Sequence, residues 1–205
     1  MRSIPKILHI ILAAGSSSRM GTPKQLLTIG DTTFIEHAIK EALKVANTNI
    51  CIVLGANYKT LRDHIDHHPI KIVQNKDWQS GMGSSIRCAV RECIQEGVSY
   101  QGILISLIDQ PLLGYEHYKI MKEYFYKDET KIIATKLKNK LGVPAILPSQ
   151  YFDELLKLQS DFGARHLIRQ HNDVVSVSAN DRGIDIDTQE QYNALLKSDF
   201  FSEKW

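Results

Sequence analysis

The sequence contains no apolar run approaching the roughly 18 residues that a membrane-spanning helix needs. It has only three cysteines, Cys51, Cys88 and Cys93. An odd number of thiols set inside apolar patterns argues against a disulfide framework and for a reduced, cytoplasmic setting. Cys88 and Cys93 are also spaced wrongly for a ligand pair on one helix face. Charge of one sign is missing too: 25 Lys+Arg against 23 Asp+Glu leave a net charge of +2. That balance excludes a strongly basic nucleic-acid binder. No internal repeat or low-complexity segment is present. The apolar stretch from Ile7 to Ala14, behind Arg2 and Lys6, is short for the core of a signal peptide and runs into a polar glycine loop, so it reads as a buried strand. What remains is ordinary globular material, 43% hydrophobic and 23% charged over 205 residues. That length suits a single domain over 1–205 with one sizeable core.

Along the chain, short β-rich runs alternate with helical patterns. Strands are expected at Ile7–Ala13, Ile50–Leu54, Ile70–Val73, Ile103–Ile108, Lys131–Thr135 and Val174–Val177. Apolar residues at helical spacing predict helices over Phe34–Ala46, Tyr58–Ile65, Ser84–Ile94, Tyr118–Tyr126, Tyr151–Leu158, Ala164–Gln170 and Gln189–Leu196. Thr32 or Thr33 can cap the first helix, with Glu36 in its first turn. Gly142-Val143-Pro144 reads as a turn. The alternation implies an α/β fold, a mostly parallel sheet covered on both faces, with mixed strands and a lid in its later part. Ligands of such sheets bind outside the carboxyl ends of the strands.

Four segments at those ends carry chemistry. The first is Leu12-Ala13-Ala14-Gly15-Ser16-Ser17-Ser18-Arg19-Met20-Gly21-Thr22-Pro23-Lys24. Its small residues let backbone N–H groups approach an anion, and Arg19 and Lys24 add positive charge suited to a polyphosphate. It is neither a Walker A loop nor a G-x-G-x-x-G fingerprint. The second, Asn75 to Ser85, contains Trp78 and Gly81-Met82-Gly83, and Ser84 or Ser85 can cap the helix that follows. In the third, Asp109-Gln110-Pro111, Asp109 either holds Mg²⁺ or caps a turn. The fourth is Asp185-Ile186-Asp187-Thr188. Alternation across a short strand would put Asp185 and Asp187 on one face, whereas Thr188 or Asp187 could instead cap the last helix. Elsewhere, His64, His67 and His68 read as a solvated helix end, because the pattern shows no separate ligand group beside them. Arg87 and Arg91 read as a solvated helix face.

Leu12-Ala13-Ala14-Gly15, Arg19-Met20-Gly21 and Pro23-Lys24 resemble the signature loop of the Rossmann-like nucleotidyltransferases with the glycosyltransferase-A type fold. The later motifs narrow the likeness. Asn75, Trp78 and Gly81-Met82-Gly83-Ser84-Ser85 are similar to a segment of the molybdenum cofactor cytidylyltransferases. Asp109-Gln110-Pro111, Gly142-Val143-Pro144, Asp161-Phe162-Gly163-Ala164-Arg165 and Asp185-Ile186-Asp187-Thr188 follow in that family's order. The resemblance covers about Ile7 to Leu196. It departs at Ile108 and Ser160, where the family often has glycine, and at Leu147-Pro148.

The resemblance implies Mg²⁺-dependent transfer of CMP from CTP to the terminal phosphate of molybdopterin, with release of pyrophosphate. Leu12, Ala13, Ala14, Gly15 and Ser16 would hold the nucleotide, with Arg19 and Lys24 on its phosphates. Gly81 and Ser84 would read the base or ribose. Arg19, Lys24 and Asp109 would be the catalytic groups. Asp109 and Asp187 would hold the metal, with Asp185 in reserve, and Asp161, Gly163 and Arg165 would meet the pterin. Ala14 stands where guanine-type relatives usually carry a second glycine. The competing readings are another acceptor such as a sugar phosphate, GTP in place of CTP, or a non-catalytic carrier that delivers the cofactor to a molybdoenzyme.

Overall fold

A computed structural model describes residues 6–17, 21–95, 97–159 and 163–198. The first strand, β1 (Ile7–Ala13), is buried along its whole length. Period-2 alternation therefore supplies two different faces. Leu8, Ile10 and Leu12 join one apolar cluster, and Ile11 and Ala13 another. A strand apolar on both sides requires cover on both sides.

A two-stranded ribbon, β2 (Thr28–Ile29) and β3 (Thr32–Thr33), leads into α1 (Phe34–Leu43). Then come β4 (Thr48–Leu54), α2 (Tyr58–Ile65), β5 (Lys71–Gln74), α3 (Met82–Ile94), β6 (Gly102–Leu107) and α4 (Tyr115–Lys127). The later part comprises β7 (Ile132–Leu137), β8 (Lys140–Pro148), α5 (Phe152–Leu156), α6 (Ala164–Gln170), β9 (Val174–Ser178) and α7 (Gln189–Leu196). The seven-stranded sheet has the order β5-β4-β1-β6-β8-β7-β9, with only β8 antiparallel to its neighbours. Helices α3, α5 and α6 cover one face, and α1, α2, α4 and α7 cover the other. This is the expected three-layer α/β/α arrangement. Among the described residues, no helix is long and apolar enough to cross a membrane.

Local chemistry sets the ends of the helices. Thr33 caps α1 in a capping box with Glu36, and Thr188 caps α7 in a second one with Gln191. Two expectations are corrected here. Gly142-Val143-Pro144 is not a turn but part of β8. The ladder to β7 slips between the pairs Ala134↔Ala145 and Thr135↔Gly142, so Val143 and Pro144 occupy an irregularity. Pro144 has no N–H to donate, and a bulge tolerates that where a regular central ladder would not. Asp185 to Asp187 form no strand. They run without regular structure into the Thr188 cap, pinned by the Ile186 N–H donating to the carbonyl of Asp109 (2.8 Å).

The chain crosses from β1 to β4 and β5 on one side, then returns to β6 on the other. The carboxyl ends of β1 and β6 thus flank the switch point of the sheet, where such folds open a crevice.

Candidate active site

A cavity of about 390 Å³ lies at that switch point. Its lining includes Leu12, Ala13, Ala14, Gly15, Ser16, Lys24, Gly81 and Asp109, together with Asp187. These are the residues that the sequence nominated for a nucleotide and its metal, with two differences. Arg19 lies outside the described residues. Ser84 does not line the cavity. Its hydroxyl has the carbonyls of Gly81 (2.7 Å) and Asp77 (3.0 Å) as alternative acceptors for its one proton and accepts from the Asn75 amide (2.8 Å). Ser84 thus braces the second loop, and its neighbour Ser85 faces the cavity. The expected serine cap is absent as well, since α3 starts behind Gly81 with no side-chain cap.

The first loop is held by residues that its sequence does not advertise. The buried Gln25 amide donates to the carbonyls of Ala13 and Gly15, both at 2.8 Å, and the Ala56 N–H donates to the Ala14 carbonyl (3.0 Å). Gly55 ties this loop to the second one. A Cβ there would lie 2.5 Å from the Trp78 Cβ and 2.7 Å from the Ala14 carbonyl oxygen. Only glycine permits that approach. Gly55→Ala is therefore expected to cost about 1–3 kcal/mol of stability through overpacking. It should also weaken nucleotide binding, because Ala14 and Trp78 both line the cavity. Thermal unfolding and calorimetric titration with a triphosphate measure the two effects.

At the centre of the cavity Lys24 joins both carboxylates. Its Nζ is 2.7 Å from Asp187 Oδ1 and 3.2 Å from Asp109 Oδ2. Burial opposes the ammonium charge, but the two carboxylates outweigh it and hold Lys24 above its ordinary range. Asp109 is pushed up by burial, against the pull of Lys24 and with a further push from Asp185 and Asp187. Its Oδ1 is buried with no hydrogen-bond partner. An ionised oxygen in that position is costly unless a cation or a donor meets it. Oxygen-only donors such as Asp109 and Asp187 suit a hard cation such as Mg²⁺, so this pair fits the metal implied by the resemblance.

Asp185 and Asp187 do not share a face. Asp187 turns to Lys24, whereas Asp185 Oδ1 accepts from the Gln110 amide (2.8 Å). Asp185 lines a second cavity of about 430 Å³ with Gln110, Val143, Gly163, Arg165, His166 and Arg169. Gly163 and Arg165 therefore stand where the second substrate was expected, while Asp161 lies outside the described residues. Met82, Leu107 and Asp109 line both cavities, so the two spaces meet at one wall. Gly163 seats Met82 there, since a Cβ would come within 2.6 Å of the Met82 sulfur. Sequence reasoning missed Gln25, Ser85, the Gln110–Asp185 pair and the extra cation of α6, Arg169. Only the Arg165–Arg169 spacing, one helical turn, was there to be read. Arg87 is tied to the Leu158 carbonyl rather than solvated.

A doubly wound sheet that opens a charged crevice of this kind at its switch point belongs to the class of α/β nucleotide-handling proteins. The lysine supplies positive charge for phosphate, and the carboxylate pair suits a hard divalent cation. Within that class, the chain belongs to the family of the MobA-like NTP transferase domain, whose model matches residues 9–174. The chain is 30% identical to nicotine blue oxidoreductase of Paenarthrobacter nicotinovorans, over 94% of this chain and 98% of that protein. It is 27% identical to the purine catabolism protein PucB of Bacillus subtilis, over 97% and 99% of the two chains. The crystal structure of Rv0371c from Mycobacterium tuberculosis superposes with a TM-score of 0.83 at 26% identity, covering 96% of this chain and 100% of that one.

Proposed function

We propose that this protein transfers CMP from CTP to the terminal phosphate of a molybdopterin-type acceptor. One observation carries the reading: the cavity at the switch point and a second cavity lined by Arg165 and Arg169 meet at Asp109, beside Lys24 and Asp187. The backbone from Ala13 to Ser16 would cradle the triphosphate, with Gly81 at the base or ribose. Arg165 and Arg169 would meet the anionic acceptor in the second cavity. Asp109 and Asp187 would hold Mg²⁺, which when bound neutralises charge on the phosphates. The choice of CTP and of the pterin rests on the motif order and on Ala14.

An oxygen of the acceptor phosphate attacks the α-phosphorus in line. The bond from the α-phosphorus to the bridging oxygen breaks, and pyrophosphate leaves with that electron pair. A phosphomonoester's second pKa is about 6, so the acceptor is already a dianion near neutral pH and no base is needed. Lys24 would neutralise charge as it develops, and the two cavities would supply alignment.

Pyrophosphate release with each of the four triphosphates, with and without the molybdenum cofactor or a sugar phosphate, tests this. Release with CTP only when the pterin is present is the expected result. Release with a sugar phosphate, a preference for GTP, or tight pterin binding without turnover would each overturn it. So would oxidoreduction without release of pyrophosphate, the activity in the name of the Paenarthrobacter relative.

A further inference from the structure

The histidines after α2 do have a separate ligand group beside them. Glu36, in the first turn of α1, comes together with His67 and His68, and one ligand atom from each lies within 4.8 Å of the others. The contacts Glu36 makes with Thr32, Thr33 and His64 fall on Oε2, so Oε1 is the atom a cation would take. The Nε2 of His68 is buried with no hydrogen-bond partner. A buried ring nitrogen left in this way is costly, and a cation or donor would relieve it.

We infer that Glu36, His67 and His68 form a second, transition-metal site that takes a borderline divalent cation such as Zn²⁺. Two imidazoles and one carboxylate form a donor set for Zn²⁺ or its neighbours, and a poor one for Mg²⁺. Ligand atoms about 2.0–2.1 Å from a tetrahedral ion stand about 3.4 Å apart, so a small rotation of the exposed His67 ring closes the site. The backbone presents the pair, because the His68 N–H donates to the Ile65 carbonyl (3.1 Å) and its carbonyl accepts from Ile70 (2.8 Å). His64 stands alongside, its Nε2 3.2 Å from the Thr33 hydroxyl and 3.5 Å from Glu36 Oε2. There it would orient the carboxylate rather than complete the ligand set. None of these residues lines the two cavities. The ion would staple the start of α1 to the segment that follows α2, and its effect would fall on stability rather than on turnover.

The untagged full chain, titrated with Zn²⁺ by calorimetry in excess Mg²⁺, tests this without reference to activity. One Zn²⁺ per chain is expected, with a dissociation constant of about 1 μM or below. Zinc at a hundredfold excess over that constant should raise the Tm by about 5–10 °C. His67→Gln and His68→Gln should each weaken binding at least about tenfold. Glu36→Gln should do the same while keeping the helix cap, since glutamine also serves in a capping box. Absence of stoichiometric binding, or binding unchanged in the His67→Gln, His68→Gln double variant, would overturn the proposal.

Discussion

Lys24→Ala is expected to cut turnover by about 100-fold or more, the scale of losing one key electrostatic contact in a catalytic site. The reason is local. The ammonium is the group that meets Asp187 Oδ1 at 2.7 Å and Asp109 Oδ2 at 3.2 Å, and the variant leaves two carboxylates facing each other. It also removes positive charge from the place where a triphosphate would sit. Asp109→Asn is expected to cost as much, because the amide keeps the shape and loses the charge that a metal requires. The fourth motif then supplies a discriminating pair. Asp187→Asn should fall with these two, whereas Asp185→Asn, which changes the partner of Gln110 rather than of Lys24, should cost about tenfold at most. Steady-state pyrophosphate release measures all four. Near-normal turnover in Lys24→Ala or Asp109→Asn would sink the assignment, and a larger loss in Asp185→Asn would exchange the two carboxylates' roles.

The fold was legible wherever one local pattern determined one outcome. Ile7–Ala13 and Tyr58–Ile65 form the expected elements over the expected residues, because burial on two faces leaves an unbroken apolar run and burial on one helical stripe leaves a period. Gly142-Val143-Pro144 misled because its composition is that of a turn. What absorbs the proline is the slipped register between β7 and β8, and register between two strands is not written in either one alone. The same limit holds in the site. The small-residue loop and Asp109 follow buried strands and could be read as ligand-facing from that position. Gln25, Gly55 and Gln110 act on partners distant in sequence, so nothing local marked them. Asp185 and Asp187 were expected on one face because alternation was assumed for a strand. The segment has no regular structure, is anchored at Ile186, and sends them to different cavities instead. Glu36 was visible as a helix-capping residue but not as a neighbour of His67 and His68, for the same reason.

Acid should destabilise this fold in the range where free histidines titrate. His9 lies fully buried in the middle of β1, with Nε2 2.7 Å from the Ser106 hydroxyl and its ring edge-on to Tyr118. Burial, helped by the charge of Lys122, lowers its pKa from 6.5 to about 3. His117, bonded to Thr135 at 2.8 Å, is lowered to about 4 by burial and by Arg182. Above pH 6.5 both rings are neutral whether the chain is folded or not, and stability is intact. As pH falls below 6.5 the unfolded chain takes up protons at His9 and His117 that the folded chain refuses, so stability is lost, and His37 and His68, also lowered by burial, add to the loss. Each histidine contributes a slope of up to about 1.4 kcal/mol per pH unit. By about pH 5 His9 and His117 would cost about 4 kcal/mol, a large part of a typical domain's 5–15 kcal/mol. Glu36 and Glu41, held below their ordinary value of 4.5, add to the loss only at lower pH. Their ionised forms stabilise the fold above that value, and protonation removes the contribution as pH falls. Urea midpoints compared at about pH 7 and pH 5 should show the histidine effect directly. His117→Gln should remove about 2 kcal/mol of the difference, since the amide can still bond Thr135 but cannot take up a proton. Equal midpoints at the two pH values would mean that these rings are not held neutral by the core.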